Sequence, residues 1–234
     1  VIGKEKIDKG AEFVGVAEIK KRGIVAVIRG ATPDSIISIG NALKDGGVTA
    51  LEITMETPRA VSIIEAAASY FGEDVMVGAG TVLDSETARA AILSGAKFIF
   101  SPTVKKETIT MAKRYGVISV PGAFTPTEIL TAYEYGADLI KVFPAGTFGP
   151  SYLKNIAGPM PHIPLMPTGG VDVHNTGDYI RAGAVAVGVG STLVNTKNTL
   201  TEEYLNNMKE KAAQFTKEVR KVREELDQKL LVIK

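Results

Sequence analysis

Ala137-Asp138-Leu139-Ile140-Lys141-Val142-Phe143-Pro144-Ala145-Gly146 reads as a short buried strand, apolar and rich in β-formers. Tyr135-Gly136 bounds it before, and Pro144 and Gly146 bound it after. Continuous apolar strands elsewhere, such as Ile24–Ile28 and Val185–Val189, fit a sheet covered on both faces. One lysine interrupts the first run near its C-terminal end. An ammonium there loses water, which favours the neutral amine. A neutral buried amine is the nucleophile that forms Schiff bases with carbonyl substrates. The competing reading has Lys141 snorkelling to solvent from the strand edge.

Outward from this strand the same unit recurs. Toward the N-terminus, a leading amphipathic helix is expected over 3–21, carrying Ile7, Phe13, Val14, Val16 and Ile19, and Gly23 ends it. A buried strand Ile24–Gly30, ending in an arginine, is expected, followed by strands over Val48–Thr54, Asp74–Ala79, Lys97–Phe100 and Val117–Val120. The helices between them start at Thr32-Pro33-Asp34, Pro58, Asp84 and Val104, with Thr32 as an N-cap before a proline at the first helical position. Thr125-Pro126-Thr127-Glu128 is a capping box. Past the lysine strand come a helix around Pro150–Ile156, a strand Ile163–Met166, a helix Val173–Ala182 and a strand Ala184–Val189.

Eight strands alternating with helices predict an α/β fold, a (β/α)8 TIM barrel with its core over about 23–195. A doubly wound open sheet is the alternative. It calls for a glycine-rich fingerprint after the first strand, and Arg29-Gly30-Ala31-Thr32 is not one. Tyr204, Met208, Phe215, Val219, Val222 and Leu226 recur at helical spacing on a charged background, predicting a long C-terminal helix over about 200–228. The whole chain, 1–234, is read as one domain.

Composition narrows the function classes. With 27 basic and 26 acidic residues and no like-charge block, neither nucleic acid nor an anionic membrane is an expected partner. The absence of cysteine removes disulfides, thiolate metal sites and cysteine nucleophiles. No apolar run is long enough for a membrane span and no apolar leader precedes the first charges, so a cytoplasmic protein is expected. The sequence begins at Val1 rather than Met, which leaves room for a missing N-terminus.

Barrel chemistry collects at the C-terminal ends of the strands. The polar residues there are Arg29, Glu52, Thr54, Thr81, Ser101, Lys141, Thr168 and Gly190-Ser191. Glu52 lies in the apolar strand Ala50-Leu51-Glu52-Ile53-Thr54, where a carboxylate is costly. It reads either as the structural partner of Arg29 or Lys141, or as a general acid/base beside the lysine, its pKa raised by burial and lowered by cations. Gly169-Gly170 and Gly190-Ser191 follow the seventh and eighth strands, a recurrent phosphate site of barrels, and a short helix from Ser191 would add its dipole. Neither His162 nor His174 reads as catalytic, and no cluster has metal-ligand spacing, so no metal or other cofactor is expected.

Six spaced motifs carry a resemblance. They are Leu51-Glu52-Ile53-Thr54, Gly78-Ala79-Gly80-Thr81-Val82, Phe98-Ile99-Phe100-Ser101-Pro102, Pro121-Gly122 with Thr125-Pro126-Thr127-Glu128, Leu139-Ile140-Lys141-Val142-Phe143-Pro144, and Pro167-Thr168-Gly169-Gly170-Val171. Between about 18 and 195 the chain resembles the 2-keto-3-deoxy-6-phosphogluconate and 4-hydroxy-2-oxoglutarate aldolases. The resemblance implies a metal-free class I aldolase on a barrel, usually a homotrimer, acting on a small 2-keto acid. It further implies that Lys141 forms the Schiff base, Glu52 shuttles the proton and Thr168 helps hold the catalytic water. Thr81 and Pro102 would line the pyruvate end, Phe143 would pack against the imine and Arg29 would sit at the mouth. Gly169, Gly170, Gly190 and Ser191 would bind phosphate. One position departs: where some members carry an arginine for the substrate carboxylate, this chain has Glu56, whose charge would repel an anion. The alternatives are another phosphosugar barrel enzyme, an isomerase or decarboxylase in which Lys141 only binds charge, and a non-catalytic sugar-phosphate-binding barrel.

Overall fold

Successive residues of a strand point to opposite faces, so one strand can serve two different layers. The computed structural model describes residues 15–232. Its strands are β1 (Ile24–Ile28), β2 (Ala50–Thr54), β3 (Met76–Gly80), β4 (Phe98–Phe100), β5 (Ile118–Val120), β6 (Gly122–Ala123), β7 (Ile140–Val142), β8 (Leu165–Pro167) and β9 (Val187–Val189). Val25, Ala50, Met76, Phe98, Phe100, Ile118, Val120, Leu139, Met166 and Ala186 form one buried apolar cluster, the lining of the sheet's inner side. Their neighbours Ile24, Ala26, Leu51, Ile53, Val77 and Ile99 join a larger cluster shared with the helices outside.

All the ladders among these strands are parallel. One sheet runs β5-β4-β3-β2-β1-β9 and the other β6-β7-β8. Bridges Leu165↔Ala184 and Thr168↔Gly188 join β8 to β9. At the other seam β5 and β6 are two parts of one strand, interrupted at Pro121, which has no N–H to give a ladder. Nine ladder segments therefore make the eight staves of a closed barrel. The expected open-sheet alternative is excluded by these two seams.

Around the barrel lie α2 (Ser35–Asp45), α3 (Ala60–Phe71), α4 (Ser85–Leu93), α5 (Lys106–Arg114), α6 (Pro126–Glu134), α7 (Gly149–Ala157) and α8 (Val173–Arg181). Asp84 accepts the Thr87 N–H at 2.6 Å to cap α4, and Thr125 and Glu128 form the expected capping box of α6. Thr32 is not the N-cap of α2. That helix begins two residues later, and the Thr32 hydroxyl instead accepts the Ser35 N–H at 3.1 Å in the preceding turn.

At the barrel's N-terminal end, α1 (Val16–Arg22) inserts Ile19 into the inner cluster. The rest of the expected leading helix, with Ile7, Phe13 and Val14, lies outside the described residues. The C-terminal helix, α9 (Glu202–Val232), extends past the expected residue 228. It buries Met208, Ala212, Phe215, Val219 and Val222 and packs along α2 and α8. Among the described residues no helix is long and apolar enough to cross a membrane.

Candidate active site

The inward parity that fills the lower barrel with Val25, Ala50, Met76 and Leu139 carries Val27, Glu52, Gly78 and Lys141 into the next layer. Val27 is in register with Glu52, Glu52 with Gly78, and Lys141 with Gly122 and Met166. Only glycine permits this layer. A Cβ on Gly78 would meet the Phe98 ring at 2.3 Å, and one on Gly80 would stand 1.7 Å from Glu52 Oε1. The bare strand β3 is thus the space into which the Glu52 carboxyl and the Phe98 ring fit.

Lys141 Nζ lies 3.7 Å from Glu52 Oε1, with the two side chains only 7% and 1% exposed. That spacing gives an ion pair and is too long for a hydrogen bond. The Lys141 ammonium nitrogen also lies 5.2 Å from the centre of the Phe143 ring and 5.6 Å from that of Phe100. Burial pushes the Glu52 carboxyl above its ordinary value, and the charges of Lys141 and Arg29 only partly offset this. Both Glu52 oxygens and the Thr168 hydroxyl are buried without a hydrogen-bond partner among the described residues. Buried polar atoms are normally satisfied, so three such atoms facing one cleft mark a place where a ligand or water completes the bonding.

All eleven residues singled out from the sequence line one cleft of about 880 Å³ at the C-terminal ends of the strands: Arg29, Glu52, Thr81, Pro102, Lys141, Phe143, Thr168, Gly169, Gly170, Gly190 and Ser191. Thr81 leaves β3 in the left-handed region, φ +55°, uncommon for a β-branched residue and a strain that often marks a functional turn. Gly169 and Gly170 also have positive φ, +84° and +80°, and Gly146 donates its N–H to the Gly169 carbonyl at 2.8 Å. Thr54 and Ser101 have structural tasks. The Thr54 hydroxyl contacts the Ile28 carbonyl at 3.3 Å, and that of Ser101 donates to Val82 at 2.6 Å.

Two expectations are corrected. No helix starts at Ser191: residues 191–193 form a single turn, closed by the Leu193 and Val194 N–H groups on the Gly190 carbonyl. The chain turns instead toward α9, so no macrodipole faces the cleft from there. Glu56 does not stand as a bare charge against an anion, because it pairs with Arg29, whose side chain is 63% exposed.

The sequence reading missed Gly80, although two glycines at alternate positions of a strand signal close approach. It also missed the segment 194–197, which lines the cleft with Asn195, Thr196 and Lys197. Nothing local announces that segment, because a contact far along the chain holds it. The Asn195 N–H donates to the Tyr204 hydroxyl at 2.9 Å, and that hydroxyl lies 2.9 Å from the Asn195 carbonyl. Both histidines lie away from the cleft: His162 packs edge-on to Tyr133, and the His174 N–H is held by Asp172. No group of three or more carboxylate or histidine residues able to hold a metal occurs among the described residues.

An amine and a carboxyl, both dry and adjacent, can form an imine with a ketone and move a proton beside it. A family model for KDPG and KHG aldolase matches residues 16–210. The 2-dehydro-3-deoxy-6-phosphogalactonate aldolase of Escherichia coli K12 is 37% identical over 174 residues, 74% of this chain and 85% of that protein. The 2-dehydro-3-deoxy-phosphogluconate aldolase of Pseudomonas aeruginosa is 39% identical over 158 residues, 67% and 71% of the two chains. Among solved structures, one described as "Native KDPGal structure" superposes with a TM-score of 0.81 at 34% identity, covering 86% of this chain and 96% of that one.

Proposed function

The chain belongs to the KDPG and KHG aldolase family, and from that premise we propose that it cleaves a 2-keto-3-deoxy-6-phospho sugar acid to pyruvate and glyceraldehyde 3-phosphate through a Schiff base on Lys141. The family makes it an aldehyde-lyase. The 4-hydroxy-2-oxoglutarate cleavage of the same family, to pyruvate and glyoxylate, is the alternative substrate use. The observation that carries the mechanism is the dry pair of Lys141 and Glu52 at 3.7 Å, with both carboxylate oxygens otherwise unpartnered.

Each step has a group in place. Glu52 takes a proton from the Lys141 ammonium, and the freed amine attacks the C2 ketone to give a carbinolamine. Glu52 returns that proton to the carbinolamine hydroxyl, and loss of water leaves an iminium and an ionised Glu52. Glu52 then removes the C4 hydroxyl proton, directly or through a water held at the free Thr168 hydroxyl. The C3–C4 electron pair moves into the iminium as the aldehyde departs. The enamine left behind takes the proton from Glu52 at C3, and water hydrolyses the imine to release pyruvate and restore the amine. Phe143 and Phe100 cover the imine nitrogen, and Thr81 and Pro102 flank the pyruvate end. The chain is taken to assemble as a homotrimer, which sedimentation would read as three chains per particle and a single-chain mass would refute.

Borohydride reduction in the presence of pyruvate tests the mechanism. The expected result is a stable mass increase on the peptide carrying Lys141, with loss of activity, and no effect of a chelator on untreated enzyme. Labelling at another lysine, or no label at all, overturns it in favour of a phosphosugar isomerase or decarboxylase in which Lys141 only binds charge.

A further inference from the structure

Three cations line the cleft: Arg29, Lys141 and Lys197. Two of them are occupied, Arg29 by Glu56 and Lys141 by Glu52. Lys197 alone has no carboxylate within ion-pair distance among the described residues. It shares the cleft with Gly170, Gly190 and Ser191, whose N–H groups find no acceptor among the described residues. Donors without acceptors in one cleft with an unpaired ammonium make a site for an anion.

Helix dipoles do not supply the positive potential here. The turn after Gly190 is not a helix, and the first N–H groups of α8 are taken by its own cap, with Asp172 accepting from His174 and Asn175 at 2.8 and 3.0 Å. The segment bearing Lys197 is fixed on both sides. Tyr204, in the first turn of α9, holds both backbone groups of Asn195, and the Thr196 hydroxyl donates to the Arg29 carbonyl. The Lys197 N–H itself donates to the Asn195 side chain at 3.2 Å. The C-terminal helix thereby anchors the segment that brings Lys197 to the cleft.

We propose that Lys197 is a substrate-binding residue that supplies the counter-charge for a dianionic phosphate on the far end of the keto acid, and so selects phosphorylated substrates. This rests on the aldolase reading above and names which end of the substrate the rim recognises. A tethered ammonium adds to neutral N–H donors a charge-assisted contact that a phosphate on the C6 oxygen takes, whereas the carboxylate of 4-hydroxy-2-oxoglutarate, at C5, ends three bonds short of that phosphorus.

The test compares wild type, Lys197→Gln and Lys197→Arg on 2-keto-3-deoxy-6-phosphogluconate and on 4-hydroxy-2-oxoglutarate. For the phosphorylated acid, Lys197→Gln should raise KM about tenfold, the size of one charge-assisted contact, with kcat unchanged. Lys197→Arg should restore most of the loss. The difference should shrink as ionic strength rises from about 0.01 M to about 1 M. KM for 4-hydroxy-2-oxoglutarate should not move. Calorimetric titration with glycerol 3-phosphate and with inorganic phosphate reads the same site without turnover, and Lys197→Gln should bind each about tenfold more weakly than the wild type or the arginine variant. Equal effects on both substrates, no effect on the phosphorylated one, or unaltered glycerol 3-phosphate binding overturns the role of Lys197. A wild type that traps pyruvate but cleaves only the unphosphorylated acid also overturns it while leaving the aldolase reading intact. A wild type that traps no pyruvate removes the aldolase reading, and phosphate binding then decides Lys197 alone.

Discussion

Glu52 is under electrostatic tension, because its carboxyl is dry and its nearest cation, Lys141, stands beyond hydrogen-bond reach. Desolvation lifts its pKa above the ordinary 4.5, against the pull of Lys141 and Arg29. In the window between 4.5 and that raised value the folded chain holds a proton that the unfolded chain releases. The stability gained this way is complete below 4.5 and is lost as pH rises through the folded value. Glu52→Gln cannot ionise and removes that loss. The melting temperature of the variant relative to wild type should therefore climb with pH across the window, whatever constant offset comes from leaving Lys141 unpaired. A difference independent of pH would show that Glu52 titrates as an ordinary carboxylate. In catalysis the same variant should still trap pyruvate at Lys141 while cleaving about 10²- to 10⁴-fold more slowly, the range for losing a general acid/base. The Arg29–Glu56 pair extends the logic to the mouth, where one carboxylate takes up the arginine that the family resemblance places there.

At the scale of elements, the strands that build the site are legible as short apolar runs with one polar residue on the inward parity. The lysine of β7 and the glutamate of β2 stand out for that reason, since a charge inside such a run must be paired or functional. The division of one stave into β5 and β6 was less legible, because Pro121 breaks the ladder without ending the strand's course. The turn at 191–193 was illegible: the tertiary link of Asn195 to Tyr204, not local propensity, draws the chain off a helical path. Strand β3 makes the sharpest test of how elements position chemistry. An alanine at Gly80 would bring its Cβ to 1.7 Å from Glu52 Oε1 and 2.4 Å from Cδ. The carboxyl must then shift by an ångström or so, a displacement that costs on the order of 10²-fold in rate. Gly80→Ala should keep borohydride trapping of pyruvate at Lys141 yet lose cleavage by about that factor. Wild-type turnover would mean that the position of Glu52 does not matter to the chemistry.

Across the whole molecule, 27 basic residues nearly cancel 26 acidic ones, so no long-range field draws an anionic substrate in. Attraction has to be local, and the barrel must hold its few cleft cations in place. Helix α9 contributes to that rigidity from outside the barrel. Its buried stripe packs on α2 and α8, and Ala212 and the Lys209 carbonyl lie so close to Gly46 that a Cβ there would meet both at 2.5 Å. At the barrel's floor the Arg223 guanidinium donates to the Lys20 and Lys21 carbonyls of α1 and to the Val185 carbonyl just before β9, tying α9 to α1 and to the sheet. Its first turn, through Tyr204, fixes the rim that bears Lys197. On this account α9 belongs to the same cooperative unit as the barrel, and the chain melts as one domain. Phe215, fully buried in the stripe, is the probe. Phe215→Ala should cost about 3 to 5 kcal/mol, the range for emptying a packed aromatic site. For a chain of this length that lowers the melting temperature by roughly 6 to 20 °C. Calorimetry should show a single transition, moved down as a whole. If α9 were an appendage, the main transition would stay where it is and a separate, smaller one would appear below it, and the single-domain account would fall.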